Sequence, residues 1–203
     1  MRSLLSAHRS SKVTRRFAVE LSPAGCLAGA LMVLTLPLRL LAAAVLAAAV
    51  HESFHILALM FCGNGVRNVR IGFGGAVIET EPLSPFRELV CAAAGPLGSF
   101  LCLLLVRAFP LVALCGLFQG TYNLLPIYPL DGGRIVRCIC ILRNPRRAVK
   151  ISQAISIIAY SFVISIFMWL YIQYHHPYLL VFAGYFLYRT TLCRKTPCNK
   201  GGF

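Results

Sequence analysis

Residues 40–61 read LLAAAVLAAAVHESFHILALMF, an apolar run that carries two histidines and a glutamate in its second half. At a rise of about 1.5 Å per residue, a helix of this length crosses the hydrocarbon core of a bilayer. Ionisable side chains in that core cost about 2.5 kcal/mol or more each, so His51, Glu52 and His55 require a reason to be there. This run predicts a transmembrane helix that carries a functional site.

The composition of the whole chain indicates a membrane protein. Of its 203 residues, 58% are hydrophobic and 13% are charged, and the mean hydropathy is +0.75. A soluble domain carries about 25% charged residues. The net charge of +14 could suggest a nucleic-acid partner, but the basic residues lie between long apolar runs. We therefore expect the protein to interact with the lipid bilayer and not with nucleic acid.

The apolar runs predict the topology. Six of them are separated by prolines, glycines and charged residues, at 21–36, 40–61, 89–106, 111–125, 151–174 and 177–188. With six spans and a cytoplasmic N-terminus, only Arg39 and Arg107 of the 20 Lys and Arg residues lie outside. Basic residues concentrate in cytoplasmic loops. The predicted fold class is an all-α polytopic membrane protein with about six transmembrane helices and both termini in the cytoplasm.

This topology predicts one membrane domain with short flanks. A basic cytoplasmic N-tail covers residues 1–20, the transmembrane domain covers 21–190, and a short cytoplasmic C-tail covers 191–203. The N-terminal residues, which are rich in Arg and Ser, are also compatible with a targeting peptide.

Shorter segments complete the predicted fold. Residues 70–78, RIGFGGAVI, are too polar to span a membrane, and their small and β-branched residues predict a small membrane-associated β-loop, as a hairpin or an edge strand. Residues 126–150 are predicted to connect the fourth and fifth runs. Gly95, Gly98 and Ser99 are predicted to let neighbouring helices pack closely.

The pattern HESFH at residues 51–55 is an H-E-x-x-H arrangement. Residues four apart share one helix face, so a single zinc could take both imidazoles while Glu52 acts as a general base. Two such histidines could instead be core residues bonded to a neighbouring helix. A catalytic zinc usually has three protein ligands, and Asp131, the only aspartate, follows the fourth apolar run. The pattern predicts a metal site of His51, His55 and Asp131.

These motifs together resemble the site-2 protease family, zinc metalloproteases that cleave peptide bonds within membranes. Family members combine H-E-x-x-H on one core helix with N-x-x-P-x-x-x-L-D-G on another, and residues 123–133 here read NLLPIYPLDGG. Between the two motifs, residues 94–96 resemble the family's A-G-P. Residues 73–79, FGGAVIE, resemble its membrane-associated β-loop.

The resemblance implies an activity and roles for particular residues. It implies an intramembrane zinc endopeptidase with Zn2+ held by His51, His55 and Asp131, Glu52 as the catalytic glutamate and Asn123 as a substrate-binding residue. It also implies a membrane-associated protein substrate, regulated intramembrane proteolysis, and inhibitory membrane proteins as partners.

Within the family, the resemblance is greatest to the stage IV sporulation proteases of spore-forming bacteria. This implies a bacterial cell membrane, a role in sporulation and a membrane-tethered transcription (sigma) factor precursor as substrate. Those proteases carry a C-terminal CBS domain, which this chain is expected to lack. The residue before the second histidine is usually glycine in the family and is Phe54 here. That ring requires a small residue opposite, or it would hold the metal site open.

Two other functions are compatible with the same residues. A catalytically inactive relative that only binds membrane helices would accommodate Phe54. A metal or proton transporter would also place buried His and Asp residues in the membrane. A transporter does not require Glu52 as a general base beside the histidines, and this favours the protease.

Overall fold

The computed structural model describes residues 18–21, 30, 33–63, 66–72, 75–80, 82–176 and 184, and for the three strands it describes the backbone alone. The helices are α1 (Leu38–Phe61), α2 (Pro85–Leu101), α3 (Pro110–Asn123), α4 (Asp131–Arg143) and α5 (Ala148–Tyr174), and a 3-10 turn at Cys102–Leu105 follows α2. The strands are β1 (Ala18–Leu21), β2 (Val66–Gly72) and β3 (Gly75–Thr80).

Three of these helices have the length and apolar composition needed to cross a bilayer. They are α1, α2 with its 3-10 turn, and α5. Helix α3 has 14 residues and reaches only about 21 Å, which is less than the roughly 30 Å of a hydrocarbon core. The prediction of a helical membrane protein is confirmed.

The number of spans stays a prediction. The apolar run at 21–36 lies largely outside the described residues, and the run at 177–188 lies outside them except for residue 184. The predicted tails, 1–20 and 191–203, also lie outside, apart from the residues of β1.

Residues 126–150 differ from the predicted connection, because they contain the 13-residue helix α4. The prediction was wrong because the glycines and arginines of this segment keep its hydropathy below that of a membrane span. A short helix that packs against neighbouring helices does not need that hydropathy. Helix α4 packs against α2 and α5, and this arrangement brings its first residue, Asp131, into the helical domain.

Local signals explain where the first two long helices begin and end. Helix α1 begins after Pro37 and is followed by Gly63, whose φ of +73° is a left-handed conformation that favours glycine. Helix α2 begins with Pro85 at its first position, and the Ser84 hydroxyl accepts a hydrogen bond from the Arg87 N–H at 3.5 Å.

The three strands form one small sheet in the order β1-β2-β3. Strands β2 and β3 form an antiparallel hairpin, and β1 pairs parallel to β2. Residues 70–78, the segment of the predicted β-loop, fall within this hairpin, although Phe73 and Gly74 lie outside the described residues. The association of the hairpin with a membrane stays a prediction.

Small residues fill the helix interfaces, and large apolar residues face outward. Ala43, Ala47 and Ala92 are buried, whereas Phe61 is 90% exposed and Leu104 is 79% exposed. In a bilayer, exposed apolar side chains contact lipid, and small residues allow helix backbones to approach closely. The distribution of side chains therefore fits a protein whose solvent is lipid.

Candidate metal centre

Three side chains converge where α1 meets the start of α4. His51 Nε2 lies 3.1 Å from Asp131 Oδ2, His55 Nε2 lies 3.3 Å from the same oxygen, and the two Nε2 atoms are 3.2 Å apart. All three residues are buried. Among the described residues, they form the group of His, Cys, Asp and Glu side chains that could hold a metal ion.

The helical geometry of α1 accounts for the two imidazoles. Residues four apart lie on one face of a helix, one turn from each other. The ring centroids of His51 and His55 are 4.8 Å apart, and the ring planes are nearly perpendicular at 80°. Both rings turn their Nε2 atoms toward Asp131.

Helix α2 contacts the opposite side of both rings. His55 Nδ1–H donates a hydrogen bond to the Cys91 carbonyl oxygen at 2.8 Å, and His51 Nδ1 lies 2.8 Å from Ser99 Oγ. Because a carbonyl only accepts, a neutral His55 has its lone pair on Nε2, facing the Asp131 carboxylate. Two electron-rich atoms at 3.3 Å require a cation or a proton between them.

Gly95 provides the space for this arrangement. A Cβ built at Gly95 would overlap the imidazole of His55 and would lie 2.8 Å from His51 Nε2. Any side chain at this position would therefore occupy the space between the donor atoms. The A-G-P segment of the sequence thus contributes its glycine directly to the site.

Two glycines determine the position of Asp131. A Cβ at Gly132 would overlap the backbone of Leu124, and a Cβ at Gly133 would overlap the backbone between Ile127 and Tyr128. The chain from the end of α3 therefore folds tightly over the first turn of α4. The carboxylate at the start of this helix also interacts favourably with the helix dipole.

An ion pair links α4 to α2 one turn beyond Asp131. Arg134 Nη2 lies 3.6 Å from Glu88 Oε1, and the Arg134 side chain is 10% exposed. This contact joins the helix that carries the aspartate to the helix that contacts both imidazoles.

The remaining two predicted site residues lie beside the converging donors. Glu52 directly follows His51 on α1 and is half-buried. Asn123, the last residue of α3, places Nδ2 3.5 Å from His51 Nε2. The structure brings all five predicted residues together, while their individual roles stay predictions.

The donor set fits a zinc ion. Zinc holds imidazole nitrogen and carboxylate oxygen at about 2.0–2.2 Å, so two donors of a tetrahedral zinc lie about 3.3–3.6 Å apart. The separations here are 3.1–3.3 Å. Two imidazoles and one carboxylate also leave the fourth position that catalytic zinc sites use.

Sequence reasoning missed one contact of this centre. The sequence predicts a helix-packing role for Ser99, whereas in the structure its hydroxyl contacts His51. The available signal was that Cys91, Gly95 and Ser99 recur every four residues and therefore share one face of α2. The spacing does not predict which helix packs against this face, so only the tertiary structure identifies His51 as the residue that Ser99 contacts.

Comparison with known proteins identifies relatives of this chain. Residues 100–168 match the sequence model of Peptidase family M50. The chain is 30% identical over 127 residues to a zinc metalloprotease of Methanocaldococcus jannaschii, a match that covers 53% of this chain and 38% of that protein. The chain therefore spans well under half the length of that relative.

The fold has a known counterpart. The site-2 protease from Methanocaldococcus jannaschii matches with a TM-score of 0.64 and 21% sequence identity, covering 89% of this chain and 92% of that chain. The predicted resemblance to the site-2 protease family is confirmed by these matches, whereas the closer resemblance to the sporulation proteases stays a prediction. The predicted cofactor, Zn2+, fits both the relatives and the donor set.

Proposed function

We propose that this chain, a relative of the site-2 proteases, is an intramembrane zinc endopeptidase that cleaves a peptide bond of a membrane-associated protein. The observation that carries the proposal is the convergence of His51, His55 and Asp131 within 3.3 Å, in a domain with helices of membrane-spanning length. Buried ionisable groups are costly in a membrane, and a catalytic metal accounts for them.

In this proposal, His51, His55 and Asp131 hold Zn2+. Bound zinc polarises a carbonyl and lowers the pKa of water to about 7. Glu52 takes a proton from the attacking water and returns it to the leaving amine. The position of Glu52 supports this role, because it lies beside the converging donors and, among the described residues, is not one of them.

Asn123 is proposed to hold the substrate. The 3.5 Å between Asn123 Nδ2 and His51 Nε2 is too long for a strong hydrogen bond, so the amide can bond to the substrate backbone or the developing oxyanion. A donor of this kind contributes about 3 kcal/mol to stabilisation of the transition state.

The substrate segment must unwind before cleavage, because the carbonyls of a helix are engaged in its own hydrogen bonds. Strand β3 pairs with β2 and with no other strand in the part of the chain that the structure describes. An extended substrate segment could add to its other edge, where backbone hydrogen bonds would supply affinity without requiring a particular sequence.

We place the protease as a multi-pass protein in the bacterial cell membrane, with both termini in the cytoplasm. In this arrangement the tails at 1–20 and 191–203 flank a protease domain at 21–190. The exposed segment between α4 and α5 supports the orientation, since Arg146 and Arg147 lie there and basic loops face the cytoplasm.

The finer assignment is regulated intramembrane proteolysis in sporulation. Its substrate would be a membrane-tethered transcription (sigma) factor precursor, and inhibitory membrane proteins would control access to the site. Support comes from residues 123–133, which match the motif of the sporulation proteases along their whole length.

A reconstituted cleavage assay tests the proposed activity. Purified protein in proteoliposomes is mixed with a single-span test substrate, and the products are identified by mass spectrometry. We expect one cut in or beside the membrane segment, loss of cleavage with a zinc chelator and recovery with added zinc.

Two variants make the assay specific for the proposed chemistry. Glu52→Gln removes the base and keeps the metal ligands, so it should retain zinc and fold while cleavage is lost. Ser53→Ala changes the adjacent exposed residue and should cleave at the wild-type rate. Cleavage by Glu52→Gln at the wild-type rate would contradict the role of Glu52. A zinc-loaded wild type that cleaves no membrane substrate would identify an inactive relative.

A further inference from the structure

We infer that Ser99 is a positioning residue of the zinc centre: its hydroxyl oxygen accepts a hydrogen bond from His51 Nδ1–H and directs Nε2 of that ring at the metal. The inference rests on the proposed function, since it concerns the proposed ligand His51. The two atoms are 2.8 Å apart, and both residues are buried, with Ser99 at 0% and His51 at 2% exposure.

The neighbouring ring shows the same arrangement with an unambiguous partner. His55 Nδ1 lies 2.8 Å from the Cys91 carbonyl oxygen. A carbonyl has no hydrogen to donate, so the hydrogen is on Nδ1 and the lone pair of the neutral ring is on Nε2. That lone pair faces Asp131.

The same logic determines the direction of the Ser99 bond. His51 Nε2 lies 3.1 Å from Asp131 Oδ2 and 3.2 Å from His55 Nε2, so it is the atom that meets the other donors. To bind zinc, Nε2 must carry a lone pair, and the ring hydrogen must then be on Nδ1. If the hydroxyl instead donated its hydrogen to Nδ1, the ring hydrogen of the neutral imidazole would be on Nε2, and Nε2 would have no lone pair for the metal. Only an accepting Ser99 is compatible with the site.

One rigid helix supplies both acceptors. Cys91 and Ser99 are eight residues apart on α2, with Gly95 midway, so all three face α1. The helix therefore orients the two imidazoles together and leaves room for them at the glycine. Hydrogen-bond partners of this kind fix the tautomer and angle of a ligating histidine, and their removal typically weakens metal affinity about 10–100-fold.

Of the two hydrogen-bond acceptors on α2, only the Ser99 hydroxyl can be removed by a side-chain substitution. The acceptor at Cys91 is a main-chain atom, which side-chain substitution leaves in place. Ser99→Ala deletes one oxygen, whereas Ser99→Thr keeps the hydroxyl. The matched control is Ser152→Ala in α5, because Ser152 is also buried but bonds to the Val149 carbonyl.

The experiment measures zinc affinity of the detergent-solubilised full chain by competition with a chromogenic zinc chelator. Ser99→Ala should bind zinc about 10–100-fold more weakly, Ser99→Thr should recover most of the affinity, and Ser152→Ala should match wild type. Ser99→Gly removes the same hydroxyl and should bind zinc at least as weakly as Ser99→Ala.

Cobalt(II) loading provides a second readout, because a misaligned imidazole changes the visible absorption bands. Thermal unfolding in excess chelator should be alike for Ser99→Ala and Ser152→Ala, which separates ligand orientation from general stability.

Several results would overturn the inference. The inference would be overturned if Ser99→Ala bound zinc with wild-type affinity. It would also be overturned if Ser99→Ala and Ser99→Thr lost zinc affinity to the same extent. In both cases the wild type still binds zinc and cleaves substrate, so the proposed function stands. A wild type that binds no zinc would overturn the proposed function together with this inference.

Discussion

The ring of Phe54 on α1 lies directly against the backbone of Gly98 on α2. A Cβ built at Gly98 would come 2.5 Å from Phe54 Cγ and 2.9 Å from Phe54 Cβ, so glycine alone fits opposite this ring. The small residue that the sequence required is therefore present. The donor atoms of His51, His55 and Asp131 remain 3.1–3.3 Å apart, so the site is not held open by the phenylalanine.

We predict that Phe54→Gly lowers both stability and cleavage. The change leaves a cavity over Gly98 and places a helix-weakening residue inside α1, for a combined cost of about 2 kcal/mol or more. Thermal unfolding in detergent, measured beside cleavage of a membrane substrate, tests this. A more active glycine variant would instead mean that the ring impairs the enzyme.

The contact also predicts coupling between the two positions. Gly98→Ala should destabilise the wild type, because the added methyl overlaps the ring of Phe54. In a Phe54→Ala background the ring is absent, so the same change should cost at least about 1 kcal/mol less. Unfolding free energies of the two single variants and the double variant give the coupling directly. Additive effects would show that the residues do not meet.

Gly95→Ala should abolish zinc binding. The added methyl would overlap the imidazole of His55 and lie 2.8 Å from His51 Nε2, so both rings would have to turn away from the position in which they meet Asp131. Gly98→Ala is the control, because the three atoms nearest to its Cβ would all belong to Phe54, which is not one of the metal donors. Both variants should be less stable, and only Gly95→Ala should lose zinc as measured by metal analysis. Equal zinc content in the two variants would contradict the role of Gly95.

Zinc should bind at one ion per chain and stabilise the fold. A ligand present at 1,000 times its dissociation constant contributes about 4 kcal/mol to the unfolding free energy. Chelation should therefore lower the unfolding temperature of the wild type. Asp131→Asn, which keeps the shape of the side chain but removes the anionic donor, should show little further change with chelator. Full activity in chelator, with no metal bound, would rule out a metalloprotease.

The segment between α4 and α5 should face the cytoplasm. Arg146 and Arg147 lie in this segment, and Arg143 and Lys150 flank it in the adjoining helices. Such basic loops are retained on the cytoplasmic side. A fluorescent protein fused after Asn144 should fluoresce, and a phosphatase that requires export should be inactive at the same site. Fusions after His176 should behave in the opposite way. An active phosphatase at Asn144 would invert the proposed topology.

Local features of the sequence were sufficient to predict which side chains meet at the candidate metal centre. The spacing of four between His51 and His55 places both imidazoles on one helix face whatever surrounds the helix. Asp131 is the only aspartate in the chain, so few carboxylates were available as a third donor beside the two imidazole nitrogens. The shortage of charge identified lipid as the solvent, because composition does not depend on how the chain folds.

Tertiary structure alone decided how the site is held. The sequence predicts a connection where helix α4 lies, because 13 residues with glycines and arginines give no signal of a span. The stability of this helix comes from packing against α2 and α5. The contact of Ser99 with His51 joins positions 48 residues apart, and the contact of Gly98 with Phe54 joins positions 44 residues apart. Such pairs leave no local pattern, because they arise only when two helices pack at one particular rotation and depth.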